Sequence, residues 1–300
     1  MIISGGSPRL VSGTSGLKPL QGLVNGGRSQ PIVGARVYVL QINTTGYGNP
    51  SISLLTSATG NLSDSIGYYV LTGEYGGFSI AGDYTCTLGH QVYLYVRGGS
   101  SGGNGANSSI GLMAPLGACP ATGNFTSTEP FVFVNAVTTV AAAYAMVGVA
   151  TDPTHASGPT VPDATAGMAR AANLVGVATG MANATLPSDP HTKVPQSKIN
   201  TLANILSACI NSSGPTSTSC TTLFANTRGN GTSKTAPDDA AAAIINIAHN
   251  PRANISALYG LQPELGAPFQ PNLGSVPADF TISLRSETPG SSLASVSSHP

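Results

Sequence analysis

Five histidines are the natural place to look for acid–base chemistry, because the imidazole is the side chain that ordinarily titrates near neutral pH. His90 lies four residues after Cys86 in a turn, His155 and His191 fall in proline-containing loops, His249 ends a predicted helix and His299 belongs to the C-terminal tail. Each has a structural role open to it, and His249 in particular suits the negative end of a helix. The carboxylates are equally reserved. Asp238 and Asp239 are adjacent at a predicted helix start, where capping accounts for them. The loop acids Asp64, Glu74 and Asp83 could in principle meet around a calcium ion, but they lack the D-x-D-x-D rhythm of a calcium loop, and turn formation is the expected role.

Sequence motifs for the common chemistries are missing. There is no H-E-x-x-H or G-x-x-x-x-G-K-[ST] segment and no nucleophile elbow, since G-x-S-x-G spacing occurs only inside the Gly-rich run Gly98–Gly103. "GNGTSK" (Gly229–Lys234) has its glycines and lysine in the wrong order for a phosphate loop and reads as a linker turn. "GGSSGGNG" (Gly98–Gly105) lacks dinucleotide spacing and reads as a connection. The sequence therefore assigns no catalytic, cofactor-binding or metal-binding residue and implies no cofactor.

Cysteines carry the strongest covalent signal. Cys86, Cys119, Cys209 and Cys220 form an even set, and pairing Cys86 with Cys119 and Cys209 with Cys220 is the shortest of three possible connectivities. Closing such loops is worth about 3–4 kcal/mol each in the chain-entropy account. The alternative is four buried thiols, since Cys209 falls on an apolar helix stripe. None forms C-x-x-C, so zinc and thioredoxin-like readings find no support.

These groups sit in a bland chain. Of 300 residues 8% are charged, against roughly 25% in an ordinary domain, and the formal net charge is zero. Scattered basic residues exclude a nucleic-acid partner of the usual kind. The segment Met1–Gly6 has neither the charged start nor the apolar core of a leader, so for an exported protein either the leader is missing from this chain or the start is misplaced. No apolar run reaches the length of about 18 residues that a membrane-spanning helix needs. Paired cysteines and a neutral polar surface point to an extracellular or cell-surface location.

Two rhythms divide the chain. Residues 20–128 read as β-structure. In "ARVYVLQI" Ala35, Val37 and Val39 alternate with Arg36, Tyr38 and Leu40, and in "QVYLYVRG" Val92, Leu94 and Val96 alternate with Tyr93, Tyr95 and Arg97. Turn chemistry separates the runs, and an antiparallel sandwich is the expected packing. Residues 129–262 read as an Ala-rich bundle of five or six short helices. Met168, Ala171, Val175, Ala178 and Met181 make one stripe, and Ile199, Leu202, Leu206, Cys209 and Ile210 make another. Residues 1–19 form a flexible start and 263–300 a Pro- and Ser-rich tail in which "DFTISL" could be one strand. The expected class is thus α+β in two domains: an N-terminal antiparallel β-sandwich, then a small all-α domain.

Gly22 and Val24, then Pro31, Gly34, Ala35 and Val37, then Thr72, Gly77, Phe78, Ile80, Gly82 and Tyr84 resemble the pattern of carboxypeptidase-regulatory-like and transthyretin-like β-sandwich modules. In such modules these residues shape turns and core, so the resemblance implies a scaffold without an active site. Over residues 13–282, segments such as "GDYTCTLGHQVYLYVRGG", "INTLANILSACINSSGP" and "INIAHNPRANISALYGL" are similar to N-terminal regions of secreted acidobacterial proteins of unknown function. Those commonly continue into NHL-type β-propeller repeats, which implies further domains beyond the C-terminus; this chain departs from the pattern after "DFTISL".

The leading expectation is a non-catalytic exported scaffold or interaction protein with a protein or glycan partner. The alternatives are a carbohydrate- or peptide-binding module that uses Tyr93 and Tyr95 as an exposed face, and a hydrolase whose triad is assembled from distant loops.

Overall fold

The valine alternation of the N-terminal half becomes a sheet whose two faces are both covered. The structure, a computed structural model, describes residues 19–57, 61–81, 84–126, 128–129, 131–229, 235–263 and 265–287, with the side chains of 28 and 161–166 excepted. Gly82, Asp83, residues 230–234 of the "GNGTSK" segment, His299 and the tail from 288 lie outside the described residues. Among the described residues the fold is mixed, with 18 strands in several sheets and 6 α-helices.

The strands of the first half are β1 Leu20–Val24, β2 Ile32–Val33, β3 Arg36–Gln41, β4 Ile52–Ser53, β5 Leu62–Ser63, β6 Tyr68–Leu71, β7 Gly77–Ile80, β8 Gln91–Arg97, β9 Ser100–Ser101, β10 Gly111–Ala118 and β11 Val132–Val134. The main sheet runs β10-β8-β3-β6-β5, with β4 also paired to β3. A second sheet runs β11-β1-β7, and β1 pairs with β11 in parallel, whereas strand pairing in the main sheet is antiparallel throughout. Register sets the faces. Val37 lies opposite Val96 and Val39 opposite Leu94, while Tyr38 lies opposite Tyr95 and Leu40 opposite Tyr93. All eight are buried, so neither face is open to water.

Several residues of that pattern sit in turns and core. At Gly22 a Cβ would come within 2.3 Å of the Val132 carbonyl oxygen and 2.4 Å of the Phe78 ring, so only glycine lets that ring cross β1. Thr72 Oγ1 accepts from Ala35 N at 2.9 Å and donates to Ile32 O at 2.7 Å, fixing the turn between β2 and β3. Tyr84 Oη accepts from Phe125 N at 3.0 Å.

The second half carries α1 Ala136–Met146, α2 Val161–Leu174, α3 Gln196–Ile210, α4 Thr218–Asn226, α5 Ala240–His249 and α6 Ile255–Tyr259. Asn135 caps α1: its Oδ1 accepts from Val137 N and Thr138 N, and Thr138 Oγ1 accepts from Asn135 N. α1 is buried nearly all round because it packs against β10 on one side and α2, α3 and α5 on the others. The buried residues of both halves join in one hydrophobic cluster.

Two expectations fail locally. The helical stripe through Val175, Ala178 and Met181 stops at Leu174, and Val175–Gly176 pairs with Met181–Ala182 as a hairpin. β-branched Val175 and Val177 flank Gly176 and weaken the helix there. The returning strand then caps α2, with Asn183 donating from its backbone to Leu174 O and from Nδ2 to Ala172 O and Asn173 O. "DFTISL" forms no strand either; only Arg285–Ser286 pairs, with Lys193 and Thr192. Its Phe280 is fully buried, its backbone spent on Pro251 O and the Tyr144 hydroxyl, so helix packing outcompetes strand pairing.

Candidate functional site

Tyr93 and Tyr95 do not present a binding face. Tyr93 is 0% and Tyr95 2% exposed, because the second half of the chain lies over them. Alternation along β8 places Tyr93, Tyr95 and Arg97 on one side, and each reaches a different part of that cover. The Tyr93 hydroxyl donates to Pro153 O at 2.7 Å and lies 2.8 Å from Ser51 Oγ. The Tyr95 hydroxyl donates to Asp239 Oδ2, and Arg97 Nη2 to Asp238 Oδ2 at 2.7 Å. Tyr95 also stacks on Tyr38, whose hydroxyl donates to Asp64 Oδ2 at 2.6 Å.

Asp239 is the buried carboxylate of this seam. It is the N-cap of α5, accepting from Ala242 N at 2.8 Å, and it is buried. Burial pushes its carboxyl up to about 6, against the opposing pull of the Tyr95 hydroxyl and the Ala242 amide. Room for it comes from Gly111 on β10, where a Cβ would meet the carboxylate at 2.3 Å. Tyr93 and Tyr95 are both held well above the ordinary phenol range, chiefly by burial. A recess of about 520 Å³ opens beside the cluster, bordered by Arg97, Asp152 and the 235–239 segment.

A second row of contacts joins the β9–β10 loop to the end of α3. Asn107 Nδ2 donates to Cys209 O at 2.9 Å and Ile210 O at 3.2 Å in the last turn of α3, where Ser212 N also donates to Cys209 O. Its Oδ1 accepts from Ser109 N. Ser101 Oγ donates to Asn211 Oδ1 at 2.7 Å. Since Asn107 is 1% exposed, Asn107→Ala is expected to cost about 1–3 kcal/mol, read as a lower midpoint in urea unfolding with an unchanged slope.

The other sequence candidates resolve as follows. Cys86–Cys119 and Cys209–Cys220 are disulfides with Cα separations of 5.9 and 4.5 Å, and no described cysteine is free. Asp64 pairs with Arg36 at 3.0 Å and accepts from Ile66 N, a turn role, while Glu74 is exposed. No three His, Cys, Asp or Glu side chains among the described residues converge as metal ligands. His249 ends α5 and its Nε2 lies 2.8 Å from Val147 O; His90 Nδ1 lies 3.4 Å from Gln41 Nε2. His191 lies on the strand Asp189–Lys193.

One pairing escaped the sequence reading although its members are three residues apart. His155 Nδ1 lies 2.8 Å from Asp152 Oδ2, on the short hairpin that closes over Tyr93. Burial alone would raise the Asp152 carboxyl, but hydrogen bonds from His155 and Thr154 outweigh it and hold the group below its usual range. Asp152 Oδ1 also accepts from Thr154 N and His155 N, so the pair staples its own turn. Thr154 Oγ1 lies 3.1 Å from His155 Nδ1 and donates to Asp152 Oδ1 at 2.8 Å, while Ser51 Oγ is engaged by Tyr93 and accepts from Ala156 N at 3.0 Å. Among the described residues no serine hydroxyl hydrogen-bonds to a histidine ring. No described helix is long and apolar enough to cross a membrane.

Compared with known proteins, the chain matches no family model, no curated protein and no solved structure.

Proposed function

We propose that this chain is a non-catalytic exported or cell-surface interaction scaffold: a β-sandwich of the carboxypeptidase-regulatory-like kind bearing a small helical domain, as in the N-terminal regions of secreted acidobacterial proteins. The observation that carries this reading is the seam. Tyr93, Tyr95, Arg97, Asp238 and Asp239, the groups best suited to chemistry, are spent on holding helices and hairpin to the sheet. Two disulfides, one in each half, favour an oxidising compartment. A rigid body of this kind suits presentation of a surface to a partner.

Intact-mass measurement after alkylation without reductant tests the location. Protein from its native compartment is expected to add no alkyl group, and four alkylated thiols would overturn the exported reading. Turnover of ester, peptide or glycoside reporters that disappears in Asp152→Asn would overturn the non-catalytic reading. A second reading, binding of carbohydrate or peptide, draws its support from a cleft remote from the two tyrosines.

A further inference from the structure

Between the β11-β1-β7 sheet and the start of α3 lies a cleft of about 470 Å³, within the usual size of small-ligand sites. Its lining is uncharged among the described residues and unusually rich in carboxamides. Asn25 follows β1. Leu20 and Val24 of that strand are buried in the core, so alternation sends the next side chain to the opposite face, which also carries Phe133. Gln196 and Asn200 stand one turn apart on α3, and Phe269 completes the wall.

These carboxamides are not equally occupied. Asn135, also in the lining, is saturated as the α1 cap and by its Nδ2 bond to Gly180 O. Gln196 Nε2 donates to Ala182 O at 2.7 Å and Asn200 Nδ2 to Pro271 O at 2.9 Å, which orients both side chains and leaves their oxygens without a donor among the described residues. Asn25 is 8% exposed, and its side chain has no hydrogen-bond partner among the described residues. Its amide atoms are not among the buried unpartnered ones, so they stay open to the cleft and can take partners from outside the chain.

We infer that this cleft binds a neutral carbohydrate. Three carboxamides border this cleft with oxygens that have no donor among the described residues. A phosphate or carboxylate brings further acceptors and would meet no described cation there, whereas a sugar brings a hydroxyl on nearly every carbon that can donate to Asn25, Gln196 and Asn200 and accept from the Asn25 amide. The Phe133 and Phe269 rings supply apolar surface for the C–H face of a pyranose. A peptide offers one N–H per residue, alternating in direction, and fits such a convergent acceptor set less well. The inference rests on the reading of the chain as an interaction module.

Isothermal titration with neutral disaccharides and methyl glycosides of glucose, galactose, mannose and N-acetylglucosamine tests it, alongside a uronic-acid disaccharide and a random peptide library. At least one neutral sugar is expected to bind. Asn25→Ala should weaken it tenfold or more with Tm unchanged or raised, because an unpartnered amide is removed; a structural asparagine would lower Tm. Gln196→Ala carries the same expectation at a partly exposed position, and Tyr75→Ala, 81% exposed and outside the cleft, should leave binding unchanged. No binding of any neutral sugar, binding indifferent to both cleft variants, or retention of peptides alone would overturn the assignment. The alkylation result stands apart from all three.

Discussion

Tyr95→Phe is expected to destabilise the protein by about 2–3 kcal/mol at pH 7.5 but by only about 1 kcal/mol at pH 4.5, the values typical of hydrogen bonds to charged and to neutral partners. The difference comes from Asp239. At pH 7.5 its buried carboxylate is ionised and holds the Tyr95 hydroxyl and the Ala242 amide as donors. Losing one strands part of a buried charge. At pH 4.5 the carboxyl is protonated and the lost bond is an ordinary one. The wild type should show the parent effect. Burial raises the Asp239 carboxyl from 3.8 unfolded to about 6 folded, so the folded state binds more protons between those values and stability falls as pH rises through that window. Two units correspond to about 3 kcal/mol, fully expressed above the folded value. Asp64 and Asp152, held low, act in the opposite sense: their contribution is lost as pH falls below the ordinary carboxylate range, outside the Asp239 window. Urea unfolding from pH 4 to 8 checks both statements. Asp239→Asn, which can still cap α5, should flatten the slope, and a slope that survives the substitution would show that another group carries it.

Removing the Cys86–Cys119 bridge by a double Cys→Ala substitution is expected to cost about 4 kcal/mol, since it closes a 33-residue separation; the Cys209–Cys220 bridge, at 11, should cost about 3 kcal/mol. Against a typical domain stability of about 5–15 kcal/mol, the first loss is a large fraction of the whole. Cys86 and Cys119 also anchor backbone: Cys86 N donates to Gly123 O and Cys119 N to His90 O. The bridge therefore ties the segment before β8 to the segment after β10, at one end of the main sheet. Reversible urea denaturation of the oxidised wild type and each double variant measures the two costs. Equal losses would show that native-state contacts rather than loop length set them.

Much of this architecture was legible because period and punctuation are local properties. The alternations in β3 and β8, the Asp239 cap and the stripe of α3 all follow from residue order. What covers a strand face is not local. "QVYLYVR" alternates aliphatic with aromatic rather than apolar with polar, a pattern equally suited to a wet aromatic face and to a second buried one. The structure buries it beneath segments more than fifty residues downstream. The end of α2 was obscured for a related reason: its stripe continues in sequence, and only the returning Asn183 shows where the helix stops. Asn25 is harder still. A lone asparagine after a strand looks like any turn residue, and its unpartnered amide exists only relative to α3 and residues 268–270.

The parallel pairing of β1 with β11 also has a consequence in time. During synthesis β1 finds one neighbour in β7, but its other edge waits until Val132–Val134 have followed. Through that interval it is an open template for any extended chain nearby. The exposed Gln21, beside the bare Gly22, offers little side-chain grip there. Synthesis must therefore run on through Val134 before both edges of β1 are covered.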